Sequence, residues 1–298
     1  MKFGAIDIGT NAARLLVGEL TKENGHTFIK KVSYTRIPLR LGEDVFDTGR
    51  ISKNKAANFI KTIQAFRLIS EIFDVRELRA CATSAMREAT NGVKIKAQIF
   101  EETGVDIEII SGDEEASLIF DTFSLFDFDK EIPFVVIDVG GGSTEVSVFE
   151  NGMRVASRSF EIGTLRILKE KIKPTVWKDI TGWLGENVHI TAHHAVYGTG
   201  GNINKAHKLV GGQMTEPVSL KKLEDLRDAL APLTVSQRVE KFQLKPDRAD
   251  VLVPAMDIYS HIMRNLKCRQ IFVPKIGLSD GMVFDLHKKY SGRKPKTI

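Results

Sequence analysis

One pattern occurs twice in this chain: a short apolar strand that ends in Asp-x-Gly, turns tightly and returns as a second strand. The first copy is Phe3-Gly-Ala-Ile-Asp-Ile-Gly-Thr-Asn11, which runs into Leu15-Leu16-Val17. The second is Phe134-Val-Val-Ile-Asp-Val-Gly-Gly-Gly-Ser-Thr-Glu145, which runs into Val146-Ser-Val-Phe149. Each returning strand meets a further turn signal, Asn24-Gly25 in one half and Asn151-Gly152 in the other. One match is compatible with chance. Two matches of the whole unit predict a duplicated α/β domain with a cleft between the halves. The chain has 298 residues, which suits two cores better than one. The expected domains are 1–126 and 127–298, with 127–133 as a candidate hinge. The final helix, about 278–290, is the segment expected to pack back on the first domain.

Hydrophobic periodicity supplies the connecting elements. A helix is expected from Ser52 to about Phe73, with Ser52 as N-cap and Ala56, Phe59, Ile60, Ile63 and Phe66 on one face. Leu78 to Thr83 reads as a strand, and a helix then runs to about Glu102, stopped by Thr103-Gly104. Val105 to Ile110 is a further strand, and Asp113 starts a helix that ends near Phe126. In the second half, helices are expected over 164–172, 175–187, 202–210, 219–230, 247–265 and 278–289, with strands at 195–197 and 269–273.

The composition is that of a soluble globular protein, 42% hydrophobic and 27% charged. A formal charge of +5 suits an anionic substrate without naming the anion. No uncharged apolar run approaches the roughly 18 residues of a membrane span, and Asp7 stands where a signal peptide needs an apolar stretch. The expectation is a cytoplasmic protein with no membrane and no nucleic-acid partner. Cys81 and Cys268, each in an apolar stretch, are expected to be buried reduced thiols. His189, His193 and His194 lack the glutamate of a zinc helix and read as a surface turn.

Three glycine-rich turns follow apolar strands: Asp7-Ile-Gly-Thr-Asn11, Asp138-Val-Gly-Gly-Gly-Ser-Thr-Glu145 and Gly198-Thr-Gly-Gly-Asn202. Glycines let backbone N–H groups approach a phosphate, and the hydroxyls of Thr10, Ser143, Thr144 and Thr199 add donors. Gly200-Gly201 also precedes a helix, whose N-terminus favours anions. Asp7, Asp138 and Glu145 would repel a bare phosphate, so a divalent cation held by hard oxygen ligands is expected between carboxylates and phosphate. Any one such turn is ordinarily just a turn. The set of three favours phosphate binding.

These motifs resemble the phosphate-binding loops of the Ppx/GppA exopolyphosphatase and guanosine pentaphosphate phosphatase family, which belongs to the actin, sugar kinase and heat-shock ATPase superfold. The resemblance extends through Arg40-Leu-Gly-Glu43, Ala82-Thr-Ser-Ala-Met-Arg87, Ser111-Gly-Asp-Glu-Glu-Ala116, Tyr197-Gly-Thr-Gly-Gly201 and Arg248-Ala-Asp250. It implies duplicated ribonuclease H-like domains and hydrolysis of a terminal phosphoanhydride bond, in inorganic polyphosphate or in guanosine pentaphosphate (pppGpp). It implies Mg²⁺ or Mn²⁺ as cofactor, and it alone implies a homodimer.

Carried over position by position, Glu115 matches the catalytic base, with Glu114 as the rival assignment. Asp138 and Glu145, with Asp7, match the acids that hold metal and water. Arg87 matches a residue that holds phosphate oxygens. Gly9, Thr10, Asn11 and Arg14 of the first turn, Gly140, Gly141, Gly142, Ser143 and Thr144 of the second, and Gly198, Thr199, Gly200 and Gly201 of the third are the implied substrate contacts. Taken singly, Glu114 and Glu115 are ordinary acids of a helix's first turn, and Arg87 is an ordinary surface charge.

The chain departs from the family pattern at two places. Ala12 replaces a usual serine, and Gly277-Leu-Ser-Asp-Gly281 replaces Gly-Leu-Arg-Glu-Gly, which removes a positive charge expected to follow a polyphosphate chain. By the same resemblance the chain is expected to be a short, two-domain form without the C-terminal helical domains of long family members. Two other functional classes stand beside the hydrolase: a kinase of the same superfold, and a non-catalytic sensor of polyphosphate or nucleotide.

Overall fold

The computed structural model describes residues 1–23, 25–125, 132–189, 194–213 and 216–291. Asn24 of the first turn signal, most of the candidate hinge, His193 and the basic tail beyond 291 lie outside the described residues. The chain forms two compact units, Met1–Phe128 with Ile276–Ile298, and Asp129–Lys275.

In the first unit, β1 (Phe3–Ile8) is buried along its whole length, as a continuous apolar run predicts for a strand covered on both faces. It pairs antiparallel with β2 (Ala13–Glu23), which pairs antiparallel with β3 (His26–Ile37). Next come α1 (Leu41–Thr48) and α2 (Lys53–Ile72). Ser52 caps α2, accepting from the Lys55 N–H, and Phe59, Ile60, Ile63 and Phe66 form its buried face. Then follow β4 (Leu78–Ala82), α3 (Ser84–Glu88), α4 (Gly92–Thr103), β5 (Ile107–Ile109) and α5 (Gly112–Asp121), the last running into a 3₁₀ turn, Thr122–Leu125. The sheet order is β3-β2-β1-β4-β5, with β1, β4 and β5 parallel.

The single helix expected after β4 is broken into α3 and α4. Ala89 is extended (ψ 121°), and the Asn91 side chain both accepts from the Ile51 N–H (3.0 Å) and donates to the Ile51 carbonyl (2.8 Å). A distant backbone segment thus satisfies the break, which periodicity cannot reveal. The helix expected from Asp113 to near Phe126 likewise ends its α-helical part at Asp121.

The second unit repeats the plan. Strands β6 (Phe134–Val139), β7 (Thr144–Glu150) and β8 (Met153–Phe160) form an antiparallel meander. After α6 (Thr164–Leu168) and α7 (Val176–Asn187), β9 (Ala195–Thr199) pairs parallel with β6. The chain continues through α8 (Gly201–Leu209), β10 (Val218–Ser219), α9 (Leu220–Leu230), α10 (Val235–Phe242), α11 (Pro246–Ala249), α12 (Leu252–Asn265) and β11 (Gln270–Ile271). The sheet order is β8-β7-β6-β9, and Phe272 bridges Tyr197 in parallel on the far side of β9. Four strands of the first sheet are therefore matched in order by the second, with the isolated Tyr197–Phe272 bridge at the place of the fifth.

Three differences from the sequence expectations have local causes. The helix expected over 247–265 splits into α11 and α12, because Pro254 has no N–H to bond the Asp250 carbonyl. Helix α10 was not foreseen, although Thr234 and Gln237 form a capping box, a readable signal. Cys81 is fully buried, but Cys268 is half-buried in the turn after α12.

The last helix, α13 (Leu278–Ser291), packs on β1, β2 and α5 of the first unit. Phe3 meets the rings of His287 and Tyr290 edge-on, Asp285 pairs with Arg79, and Lys288 pairs with Asp121. A side chain at Gly281 would collide with the Leu118 carbonyl of α5, so the two helices touch backbone to backbone. The second unit accordingly ends at Lys275. Among the described residues no helix is long and apolar enough to cross a membrane.

Candidate functional site

The first glycine turn closes on itself, with the Gly9 N–H donating to the Ala12 carbonyl (3.1 Å). The carbonyls of Thr10 and Asn11 accept from the N–H groups of Gly42 (3.0 Å) and Arg40 (2.9 Å), just where α1 begins. Thr10, Asn11 and Ala12 are all buried. Arg40 takes a left-handed conformation (φ 50°) to start α1 without a side-chain cap. A cluster of ion pairs holds this start. Glu43 accepts from Arg40 Nε (2.6 Å) and Lys55 Nζ (2.8 Å), and Lys55 also donates to the Arg40 carbonyl (2.5 Å). Burial alone would raise the Glu43 pKa, but Lys55 and Arg40 together hold it below the usual carboxylate range. Asp7 and Arg14 are cross-strand neighbours, and Arg14 Nη1 sits 2.5 Å from Asp7 Oδ2. One oxygen of the candidate metal ligand is thereby engaged by a guanidinium.

The N-terminus of α5 separates the two adjacent glutamates. Ser111 caps the helix by accepting from the Glu114 N–H (3.1 Å). Successive helical side chains point about 100° apart, so Glu114 and Glu115 meet different surroundings. Glu114 joins a surface cluster in which Arg79 reaches Glu108 (2.7 Å), Glu114 (3.2 Å) and Asp285 (2.9 Å). Glu115 is half-buried. Arg87, exposed on α3, donates to the Ile110 carbonyl (2.7 Å), in the segment that leads into α5. Arg87 and the Glu115 segment are thus brought together within one unit. Burial pushes the thiol of Cys81, beside Asp7 in the sheet, up to about 12, which leaves it unreactive.

In the second unit, Asp138 on β6 stands directly opposite Glu145 on β7, with Thr199 on its other side. Thr199 Oγ1 donates to Asp138 Oδ2 (2.8 Å), and Ser159 Oγ donates to Glu145 Oε1 (2.8 Å). Gly200 has φ +90°, and a side chain there would stand 2.6 Å from Asp138 Oδ1, so only glycine fits. The second turn closes with the Gly140 N–H on the Ser143 carbonyl (3.0 Å), and its other carbonyls accept from the first turn of α6. Thr164 Oγ1, buried in that turn, has no hydrogen-bond partner among the described residues.

Several residues that build this site went unnoticed in the sequence. Tyr259, fully buried on α12, accepts from the Val139 N–H (3.3 Å) and donates to the Thr199 carbonyl (2.7 Å), so one phenol ties the second turn to the third. Burial holds its pKa well above the usual tyrosine range. Asn202 donates to the Val139 carbonyl (3.2 Å) and accepts from Arg248 (3.1 Å). Gly163 and Arg166 contact the second turn directly. Asn202 had a signal, since it closes the third glycine-rich turn; Tyr259 had none, because an apolar helix hides it.

Among the described residues no three His, Cys, Asp or Glu side chains cluster as a ready-made metal cage. The opposed carboxylates of Asp138 and Glu145 nonetheless fit a magnesium ion, which binds through one or two carboxylates plus waters and substrate phosphates. At the two departures from the family pattern, Ala12 is wholly buried, and Asp280 is buried against Lys31 (2.8 Å) and the Gly277 N–H (3.1 Å).

The same fold is found in known proteins. An exopolyphosphatase from Cytophaga hutchinsonii superposes with a TM-score of 0.81 over 99% of both chains at 22% identity. A Ppx/GppA enzyme of Aquifex aeolicus gives 0.76, covering 96% of this chain and 99% of its own, at 20% identity. These likenesses establish a duplicated actin-like ATPase fold. The model of the Ppx/GppA phosphatase family matches residues 20–179 and 184–290, and the chain belongs to that family. Exopolyphosphatase 1 of Mycobacterium tuberculosis is 32% identical over 170 residues, 57% of this chain and 48% of that protein. A bifunctional 3-dehydroquinate synthase/phosphatase of Fusobacterium nucleatum is 35% identical over 170 residues, 56% of this chain and 26% of that protein. The matches thus span half or less of these relatives' length.

Proposed function

We propose that the chain hydrolyses the terminal phosphoanhydride bond of inorganic polyphosphate and releases orthophosphate. The observation that carries this reading is the Gly140–Ser143 turn, whose carbonyls are taken by protein donors beside the opposed carboxylates Asp138 and Glu145. A turn with its carbonyls occupied offers N–H groups, and two carboxylates beside it suit a phosphate that arrives with a divalent cation. Relatives named exopolyphosphatase support the substrate class.

In this reading Asp138 and Glu145 would hold Mg²⁺ or Mn²⁺, which would supply neutralisation of charge on the phosphate oxygens. Glu115 takes a proton from the attacking water as that oxygen bonds to the terminal phosphorus. The bridging P–O bond breaks, and the shortened chain leaves with the electron pair. Arg87 offsets charge on the transferred group. Little else is required, because phosphoryl transfer depends mainly on positioning and electrostatic stabilisation. Glu114 is assigned to the Arg79 cluster and not to the chemistry.

The test is phosphate release by the purified protein with Mg²⁺, with polyphosphate and guanosine pentaphosphate offered side by side. Release from polyphosphate is expected to stop on chelation and to fall at least about a thousandfold in Glu115→Gln. Glu114→Gln is expected to stay within about threefold of the parent protein. Faster release from guanosine pentaphosphate would change the substrate, and an active Glu115→Gln variant would remove the proposed base. Binding without release from either compound would favour the sensor class.

A further inference from the structure

Three consecutive carbonyls of the second glycine turn face the same short helix. The Gly140 carbonyl accepts from the Thr164 N–H (3.1 Å), and that of Gly141 accepts from the N–H groups of Leu165 (2.8 Å) and Arg166 (3.1 Å). The Gly142 carbonyl accepts from Arg166 Nε (2.7 Å). In a trans peptide unit the C=O and the following N–H point in opposite directions, and among the described residues no peptide bond is cis. Holding these carbonyls against α6 therefore turns the N–H groups of Gly141, Gly142 and Ser143 the other way. Three successive N–H groups on one side of a tight turn form an anion-binding concavity.

We infer that Arg166 is a positioning residue for phosphoryl transfer: it fixes the Gly142 peptide so that the amides of the turn converge on the phosphoryl oxygens. The inference rests on the phosphatase reading. Its side chain is 8% exposed, so solvent screens the charge-assisted bond to the carbonyl only weakly. The positive charge lies one peptide behind the amides and adds to the field that an arriving phosphate meets. Gly163 permits the contact: a Cβ there would stand 2.5 Å from both the Gly141 carbonyl carbon and the Gly142 nitrogen. Thr144 Oγ1 donates to the Ile162 carbonyl (2.7 Å) and fastens the other end of the turn to the same segment. The frame is thus anchored on both sides, with the guanidinium the one side-chain donor to the three glycine carbonyls among the described residues.

The test compares Arg166→Met, Arg166→Lys and Arg238→Met in the full chain. Arg238 is the control, since its guanidinium bonds the carbonyls of Leu230, Ala231 and Ala249, away from the glycine turn in sequence and bonding. Loss of either arginine is expected to lower the melting temperature. In Arg166→Met, kcat on polyphosphate should fall roughly tenfold or more with KM changed much less, because preorganised donors act mainly on the transition state. Arg166→Lys should recover part of that loss, the pH–rate profile should keep its shape, and Arg238→Met should keep the parent kcat.

Pyrophosphate with Mg²⁺, followed by the amide signals of Gly141, Gly142 and Ser143, gives a readout independent of turnover. Those signals should shift less on titration in Arg166→Met than in the parent protein. A folded Arg166→Met with parental kcat and parental amide responses would overturn the inference, as would an equal kcat loss in Arg238→Met. If the parent protein bound pyrophosphate through these amides without hydrolysing polyphosphate, the phosphatase reading would fail while the role of Arg166 in aiming them stood.

Discussion

The first and second glycine turns meet the same geometric demand with different materials. In both, carbonyls are drawn to a neighbouring helix start, so the following N–H groups point away from it. At the first turn, main-chain N–H groups of Arg40 and Gly42 hold the carbonyls of Thr10 and Asn11, and half-exposed ion pairs among Arg40, Glu43 and Lys55 hold that segment in place. At the second, main-chain N–H groups of the buried turn of α6 hold the carbonyls of Gly140 and Gly141, and Arg166 Nε bonds that of Gly142. Exposed ion pairs are worth only about 0–1 kcal/mol each and are weakened by salt. Three of the bonds at the second turn run from main-chain N–H groups of a buried segment to carbonyls, where salt acts little. One loop is supported by charges that water reaches, and the other by a frame that water does not.

The largest expected effect tests that frame. Gly163→Ala forces a Cβ against the Gly141–Gly142 backbone, and phosphate release should fall by roughly a hundredfold or more, comparable to losing an oxyanion-hole donor. Steady-state kinetics on protein shown to be folded by circular dichroism check this, and near-parental activity would mean that the turn does not need this contact.

A smaller effect should separate the loops directly. Burial by itself would raise the Glu43 and Asp44 pKa values. The partners of Glu43 (Lys55 and Arg40) and those of Asp44 (the Ser52 N–H and Lys55) nevertheless hold both below the ordinary carboxylate range. A carboxylate with a lowered folded-state pKa contributes stability above its unfolded pKa, and that stability is lost as pH falls through the folded value. Acid below about pH 4, or molar salt at neutral pH, should therefore lower hydrogen-exchange protection at the Gly42 amide more than at Leu165. Equal loss at both amides would erase the distinction.

Much of this arrangement was legible in the sequence, and the reason is local. Asp7-Ile-Gly and Asp138-Val-Gly announce strand ends through a buried apolar run followed by residues that only a turn accommodates. Ser52 before an amphipathic run places the start of α2. Position 163 was harder, because nothing between residues 141 and 163 signals that a later glycine must lie against an earlier one. Helix α1 was hidden for a related reason, since it begins at a left-handed Arg40 with no capping side chain. Glu114 and Glu115 are indistinguishable by spacing. The cluster around Arg79, built by β4, β5 and α13, is what gives Glu114 a separate role.

The most direct test of the account is an amide titration of the Glu115→Gln variant with pyrophosphate and Mg²⁺. Downfield shifts are expected at Gly141, Gly142 and Ser143, with little change at Thr164, Leu165 and Arg166, whose N–H groups are already bonded to the turn's carbonyls. Saturable binding that left all three turn amides unmoved would contradict it.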